Sequence, residues 1–532
     1  MTQTILIGLD GADFQIMEPL MDDGVMPFLK SLVSEGVTAE LMSTPNPFTP
    51  PAWTTVMTGR TPGNHGVFDF AHVVRPDGIP RSKMATSRDV RCETVWSIAS
   101  RHGHRVNTLN FPLMYPPRPL EGNSVPGFVR WRHLRYSVYP PALYETLCEL
   151  PGFNKKELAL DWDLERKALQ ALPHGEYADW IRFHLRREQQ WMGIVRHLAK
   201  NDPADLLAVL FDGVDKLQHL CWRFLSPALA SAATTDWEQD IRKLCLEYFR
   251  QLDGFLAEIV GLGGADARVI IVSDHGFQAT RDIFYVNSWL EKEGHLQWAD
   301  GIEVRDDDQL NVEGHADPAS LFDWQTTRAC ALTAGSMGVY VRQSTETGEP
   351  GVPADEYDGF CRSLADSLLK YRSPDSGHPV VSEVLLRGEA FPGMFCDQAP
   401  DLTLILNDGC SMSVTRSGDL VKPRDEVSGI HRPQGIFISH GPGIRRGQRI
   451  GALEIADTAP TVLHSLGLAI PEDLEGHVAV EAFETEFLRD QPVRSGDPTH
   501  PPQPFPVKAE DPAVEAQEEA LITERLKALG YL

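Results

Sequence analysis

Six acidic and imidazole side chains stand where short apolar runs stop. Asp10 ends "TILIGLD" (residues 4–10), and Asp215 and His219 follow the run 205–211 inside "DGVDKLQH". Four residues apart, that pair would share one face of a helix. Asp274 and His275 close "RVIIVSDHG" just before Gly276, and His431 in "SGIHRPQGIF" precedes another apolar run. Singly, each has an ordinary explanation. An Asp after a strand is usually a turn or capping residue, a D-x-x-x-H pair commonly sits on a surface, and a lone histidine is a loop residue. Jointly, six nitrogen and oxygen donors make two three-ligand sites with open positions, a set suited to zinc. Spacing alone supports a dinuclear metal centre and specifies no reaction.

The stretch "NPFTPPAWTTVMTG" (46–59) adds an alcohol. Thr49 stands immediately before Pro50 and Pro51, which suit the first turn of a helix because the N–H groups they lack are not needed there. Thr is a common N-cap, so capping is the plain reading. The alternative is chemical: a helix start carries partial positive charge, and a hydroxyl held there is well placed for work on an anion.

These residues need a scaffold that gathers strand ends. The runs at 4–10, 104–112, 205–213 and 268–276 read as strands separated by helical stretches, which predicts an α/β fold with a mostly parallel central sheet flanked by helices. In such a sheet ligands collect at the carboxyl ends of the strands. The expected catalytic core covers 1–112 and 201–280, with a helical and aromatic cap inserted at 113–200. A second irregular insertion covers 281–400, and the core returns at 401–487. Beyond lie a Pro-rich linker from about 488 and a C-terminal helix with Leu521, Ile522, Leu526 and Leu529 on one face, expected to dock.

With 532 residues, 49 basic against 75 acidic side chains and a net charge of −26, the chain does not suit nucleic acid duplexes or anionic membranes, which select basic faces. A small anionic substrate held by metals remains compatible. The eight cysteines contain no CxxC pair, and neither a signal-like leader nor a membrane-length apolar run is apparent, so a cytoplasmic protein is expected.

Taken in order, "LIGLDGAD", "MPFLKSLVSEG", "PFTPPAWTTVMTGRTPGNHGV", "DGVDKLQH", "VIIVSDHGF" and "GIHRPQGIFISHGPGI" resemble the alkaline phosphatase superfamily, with the type I phosphodiesterase/nucleotide pyrophosphatase group as the nearest branch. "IADTAPTVLHSLGLAIPEDLEG" (455–476) is similar to a tail segment of bacterial members and related sulfatases. The resemblance implies an alkaline phosphatase-like fold and a phosphoric-ester hydrolase with two divalent ions, zinc or manganese. It makes Thr49 the nucleophile, passing through a phospho-threonine intermediate. It assigns Asp10, Asp274, His275 and the Thr49 oxygen to one metal, and Asp215, His219 and His431 to the other.

One position departs from that pattern. Nucleotide pyrophosphatases carry an Asn four residues after the Gly of "HG" to donate to a phosphoryl oxygen, and this chain has Phe70 there. Asn107 and Asn110 are the candidate substitutes, each also readable as a plain strand-end residue. A phosphomutase, a phosphoryl- or phosphonate-transferring relative and a non-catalytic metal scaffold are the competing functions. A sulfatase is disfavoured because no C/S-x-P-x-R motif is apparent. "RWRHLRY" (130–136) reads as a solvated insertion face with a smaller claim to an anionic ligand, and His65 as a turn brace.

Overall fold

In a computed structural model, residues 3–159, 164, 165, 168, 172–230, 234–302, 318–344 and 349–505 are described. The main sheet runs in the order 448–449, Val37–Met42, Gln434–His440, Arg268–Val272, Thr4–Leu9, Leu206–Phe211, Val106–Leu109, Gly122–Val125. Only Gln434–His440 runs against its neighbours; the other pairings are parallel. The expected α/β architecture is therefore present.

Side-chain alternation builds two cores. Ile5, Ile7, Leu9, Leu207, Val209 and Phe211 point to one face, under the long helices Tyr177–Asn201 and Asp236–Gly263. Leu6, Leu206, Ala208, Leu210, Ile270 and Val272 point to the other, against Trp53 and Trp96. Gly8 belongs to that second face. A Cβ there would lie 2.6 Å from the Trp53 ring and 2.7 Å from Leu210. The missing side chain lets the indole lie against the first strand.

Several boundaries differ from expectation. Gly122–Val125 falls inside the expected cap yet hydrogen-bonds to Val106–Leu109 as the edge strand of the main sheet. Leu402–Leu406, expected in the returning core, instead pairs with Gly338–Val341 and Val381–Leu386 in a separate antiparallel sheet over its own core. The Pro-rich stretch is no free linker as far as residue 505. Ser495–Gly496 pairs with Ile470–Pro471, Thr499 Oγ1 donates to Asp473 (2.6 Å), and Phe505 receives the Arg118 guanidinium. The expected helix at 521–529 lies outside the described residues. Among those described, no helix is long and apolar enough to cross a membrane, and none of the eight cysteines forms a disulfide.

Candidate active site

Asp10 and Asp274 follow two adjacent parallel strands, Thr4–Leu9 and Arg268–Val272, so sheet pairing brings them side by side. Asp215 and His219 lie on the helix Gly213–Leu225, which starts two residues after the third strand of this group. His431 arrives by a different route. It sits near the end of Val421–Arg432, which pairs antiparallel with Gly276–Tyr285, placing His431 opposite Phe277 and two residues from His275. Gly276 opens its strand at a close backbone approach, where a Cβ would lie 1.9 Å from the Gln434 carbonyl oxygen.

All six expected ligands converge. Ligand atoms of Asp10, Asp274 and His275 lie within 4.8 Å of one another, as do those of Asp215, His275 and His431. His275 thus joins the two groups, its ring stacked on His431 at 3.6 Å between centroids. His219 completes the second group, its Nε2 lying 2.9 Å from His431 Nε2 and 3.3 Å from Asp215 Oδ1.

The hydrogen bonds around the centre leave the right atoms for a metal. Nδ1 of His431 faces the Pro47 carbonyl (2.9 Å), that of His219 the Gly429 carbonyl (3.1 Å), and that of His275 the Gly276 carbonyl (3.2 Å). With Nδ1–H donating, each ring presents an Nε2 lone pair inward. Trp53 Nε1 donates to Asp10 Oδ2 (3.2 Å) and the Gly11 amide to Asp274 Oδ1 (3.1 Å). What remains is decisive. Asp10 Oδ1, Asp274 Oδ2 and His275 Nε2 are buried without a hydrogen-bond partner, and the nitrogen lies 3.7 and 3.2 Å from the two oxygens. Buried polar atoms are seldom left unpaired, so three converging ones fit a shared cation.

Electrostatics agree. Burial, then the charges of Asp274 and Asp215, hold the Asp10 carboxyl well above the usual range. Burial also raises Asp274, with Asp215 adding and the Gly11 amide opposing. Burial works on Asp215 in the same direction, but His219 and Lys216 outweigh it and hold that carboxyl well below the usual range. Burial keeps His275 and His431 neutral, the form that ligates.

Thr49 is the first residue of the helix Thr49–Thr58, and Phe48, not Thr49, occupies the N-cap position. The capping reading therefore fails. The Thr49 side chain makes no hydrogen bond to a described residue, although it is only 6% exposed. The chain on both sides of it is anchored to the centre. The Pro47 carbonyl faces His431, the Phe48 ring lies 6.0 Å from the His431 ring, and Trp53, one turn later, holds Asp10.

Asn110 has both amide hydrogens engaged, and Asn107 has one of its two. Asn107 Nδ2 donates to the Asp202 carbonyl (2.8 Å). Asn110 Nδ2 donates to the Leu210 carbonyl (2.8 Å) and Asp212 Oδ1 (3.1 Å). Phe70 packs edge-on against Phe48 (5.5 Å) and tilts over Phe128 (5.8 Å), so an apolar wall replaces the expected amide. His65 bridges Thr55 Oγ1 (3.0 Å) and the Val67 amide (3.1 Å), bracing its own turn against the helix that begins at Thr49. In 130–136, Trp131 stacks with Arg132, Lys155 and Lys156.

Three supporting features carried no expectation. Arg432 clamps Asp13 through two bonds (2.6 and 2.8 Å), tying the strand of His431 to the turn after Asp10. Arg187, fully buried on the helix Tyr177–Asn201, pairs with Asp212 and donates to Asn110 Oδ1 (3.2 Å). Lys216 Nζ lies 3.2 Å from Asp215 Oδ2 and 6.0 Å from the Phe128 ring. Asp13, Asp212, Lys216 and Arg432 all stand inside the quoted motifs, which was the available signal.

A family model described as type I phosphodiesterase/nucleotide pyrophosphatase matches residues 4–436. No curated protein matches the chain. Among solved structures, an inactive variant of murine ectonucleotide pyrophosphatase/phosphodiesterase 5 in complex with AMP is 14% identical at a TM-score of 0.51, over 92% of this chain and 100% of that one. Phosphonoacetate hydrolase from Sinorhizobium meliloti 1021, in complex with phosphonoformate, is 15% identical at a TM-score of 0.54, over 87% and 96%. At such identities these structures speak to the fold, which is shared almost end to end. The family match spans most of the chain, and on it the protein belongs to the type I phosphodiesterase/nucleotide pyrophosphatase family of phosphoric-ester hydrolases.

Proposed function

We propose that this protein is a dinuclear metal phosphodiesterase in which Thr49 is the nucleophile. The observation that carries the reading is the set of three buried, unpartnered ligand atoms on Asp10, Asp274 and His275 beside the Asp215–His219–His431 group. Asp10, Asp274 and His275 would hold one divalent ion together with the Thr49 oxygen, and Asp215, His219 and His431 the other. Nitrogen and oxygen donors without thiolates suit zinc, with manganese as the alternative. Bound there, the ions would favour the alkoxide of Thr49 and offset the negative charge on the phosphoryl group.

The chain's own residues do the rest. Thr49 Oγ1 attacks phosphorus in line, forming the Thr–O–P bond as the ester's leaving oxygen departs with the bonding pair. Water then attacks the phospho-threonine, restoring the hydroxyl and releasing the second product. The backbone carbonyls of Pro47, Gly429 and Gly276 hold the imidazoles in the ligating tautomer, and Trp53 fixes the Asp10 carboxylate. Lys216 adds a positive charge beside Asp215. Phe70 in place of an amide removes one donor to a phosphoryl oxygen, so nucleotide selectivity would not rest on that position. Eight cysteines that form no disulfide support a cytoplasmic setting.

Thr49→Ala tests the nucleophile. The expected outcome is loss of bis-p-nitrophenyl phosphate turnover by at least about a thousandfold, with two metal equivalents per chain retained by elemental analysis. Wild-type turnover in the variant would contradict the assignment.

A further inference from the structure

A cavity of about 420 Å³ opens beside the metal centre, between the loop preceding Thr49, the strands Gly276–Tyr285 and Val421–Arg432, and the smaller sheet's Leu402–Leu406. Of the six convergent side chains, His219 and His431 line it and the other four do not. Centre and cavity therefore share a wall. The volume lies within the range of about 300–1,000 Å³ usual for small-molecule sites.

The chemistry of that wall is selective. Phe48, Met337, Leu404, Leu406, Met412 and Val414 give it an apolar surface. Many of the polar side chains among them are already spent. Thr280 Oγ1 donates to the carbonyls of Asp282 (3.3 Å) and Gly409 (3.2 Å), and Ser411 Oγ to that of Asp282 (3.1 Å). Ser413 and Thr415 bond each other (2.9 Å), and Arg432 is committed to Asp13. Arg424 donates to Ser411 (3.0 Å), which leaves Gln278, Asp408 and Gln434, with the two shared histidines, as the polar part of the wall. A nucleobase would bring several donors and acceptors that such a wall leaves unmet, and each unmet group costs affinity. A hydrocarbon group needs only contact, and it gains by leaving water.

We propose that this cavity is the subsite for an apolar alkyl or aryl substituent of the phosphoryl ester, so that the preferred substrates are hydrocarbon-bearing phosphodiesters. The inference rests on the catalytic reading above, because the cavity is assigned to the substrate through its shared wall with His219 and His431.

The test is a series of p-nitrophenyl alkyl phosphates, methyl to hexyl, on the metal-loaded enzyme. The expected kcat/KM rises by up to about fourfold per added methylene, the transfer preference of one CH2. In Ala334→Phe, which projects a ring into the cavity, that slope flattens. A flat wild-type series overturns the proposal, and so does a slope that Ala334→Phe leaves unchanged. Calorimetry of methyl- and hexylphosphonate binding supplies a readout independent of turnover. The longer ligand is expected to bind tighter with a more negative heat-capacity change, and equal affinities and heat-capacity changes would overturn the assignment. Absent turnover of the methyl ester would instead count against the catalytic reading, while the binding pair still decides the cavity.

Discussion

Asp69 is 2% exposed, accepts from the Thr333 hydroxyl and the Ala71 amide, and is pushed by burial to a pKa of about 7. It joins the "HGVFDF" stretch of the core to the inserted subdomain. Its ordinary pKa is 3.8, so between that value and about 7 the folded chain holds a proton that the unfolded chain has lost. Stability from this group is full below the lower value and declines as pH rises through the window. The displacement is worth up to roughly 4 kcal/mol. Asp69→Asn has no such proton, so its stability relative to wild type should climb between pH 4 and 7 and level off above. Urea melts across that range check it, and a constant difference would contradict it. The candidate metal donors were legible because five of them follow an apolar run and His431 precedes one, and D-x-x-x-H is a local pattern. Their supports were not. Asp13 and Arg432 are 419 positions apart, and no local pattern pairs them. Asn110 is a candidate donor by its type, but the fold supplies Asp212 and the Leu210 carbonyl to accept its amide hydrogens, and Arg187 donates to its Oδ1.

At the scale of elements, the helix that carries Thr49 is placed by what the first strand lacks. Gly8 opens the space in which Trp53 reaches Asp10, so one small residue couples sheet packing to ligand orientation. Gly8→Ala would force the indole or Leu210 to move. Overpacking of this kind costs about 1–3 kcal/mol. The expected result is a lower urea midpoint with an unchanged slope, together with reduced turnover because Asp10 loses its orienting donor. Full activity in a destabilised variant would separate the two effects and refute the coupling. The four apolar strands were readable from their composition. Gly122–Val125 was not, since "GNSV" has no apolar run and becomes a strand only by pairing with Val106–Leu109. Val421–Arg432 was hidden for a related reason. Its sequence is polar and half-exposed, and its place comes from the long antiparallel pairing with Gly276–Tyr285.

Across the whole molecule, the main sheet fixes Asp10, Asp215 and Asp274 at neighbouring strand ends, while the pairing of Val421–Arg432 with Gly276–Tyr285 delivers His431 and forms part of the cavity beside it. The proposed catalytic groups and the candidate selectivity groups thus share the loop before Thr49, His219 and His431, while Met337, Leu404 and Met412 are added by the smaller sheet and its neighbours. This explains why the donors could be recognised from motifs and the cavity could not: its walls come from Phe48, Met337, Leu404 and Met412, residues with no shared spacing. The same arrangement gathers three buried carboxylates with little to neutralise Asp10 and Asp274, a repulsion that divalent ions would relieve. The most direct measurement is anomalous diffraction at the zinc edge from crystals of the zinc-loaded protein. Two peaks are predicted, one among Asp10, Asp274, His275 and Thr49, the other among Asp215, His219 and His431. A single peak remote from these residues, or no ordered metal at full zinc occupancy in solution, would contradict the account.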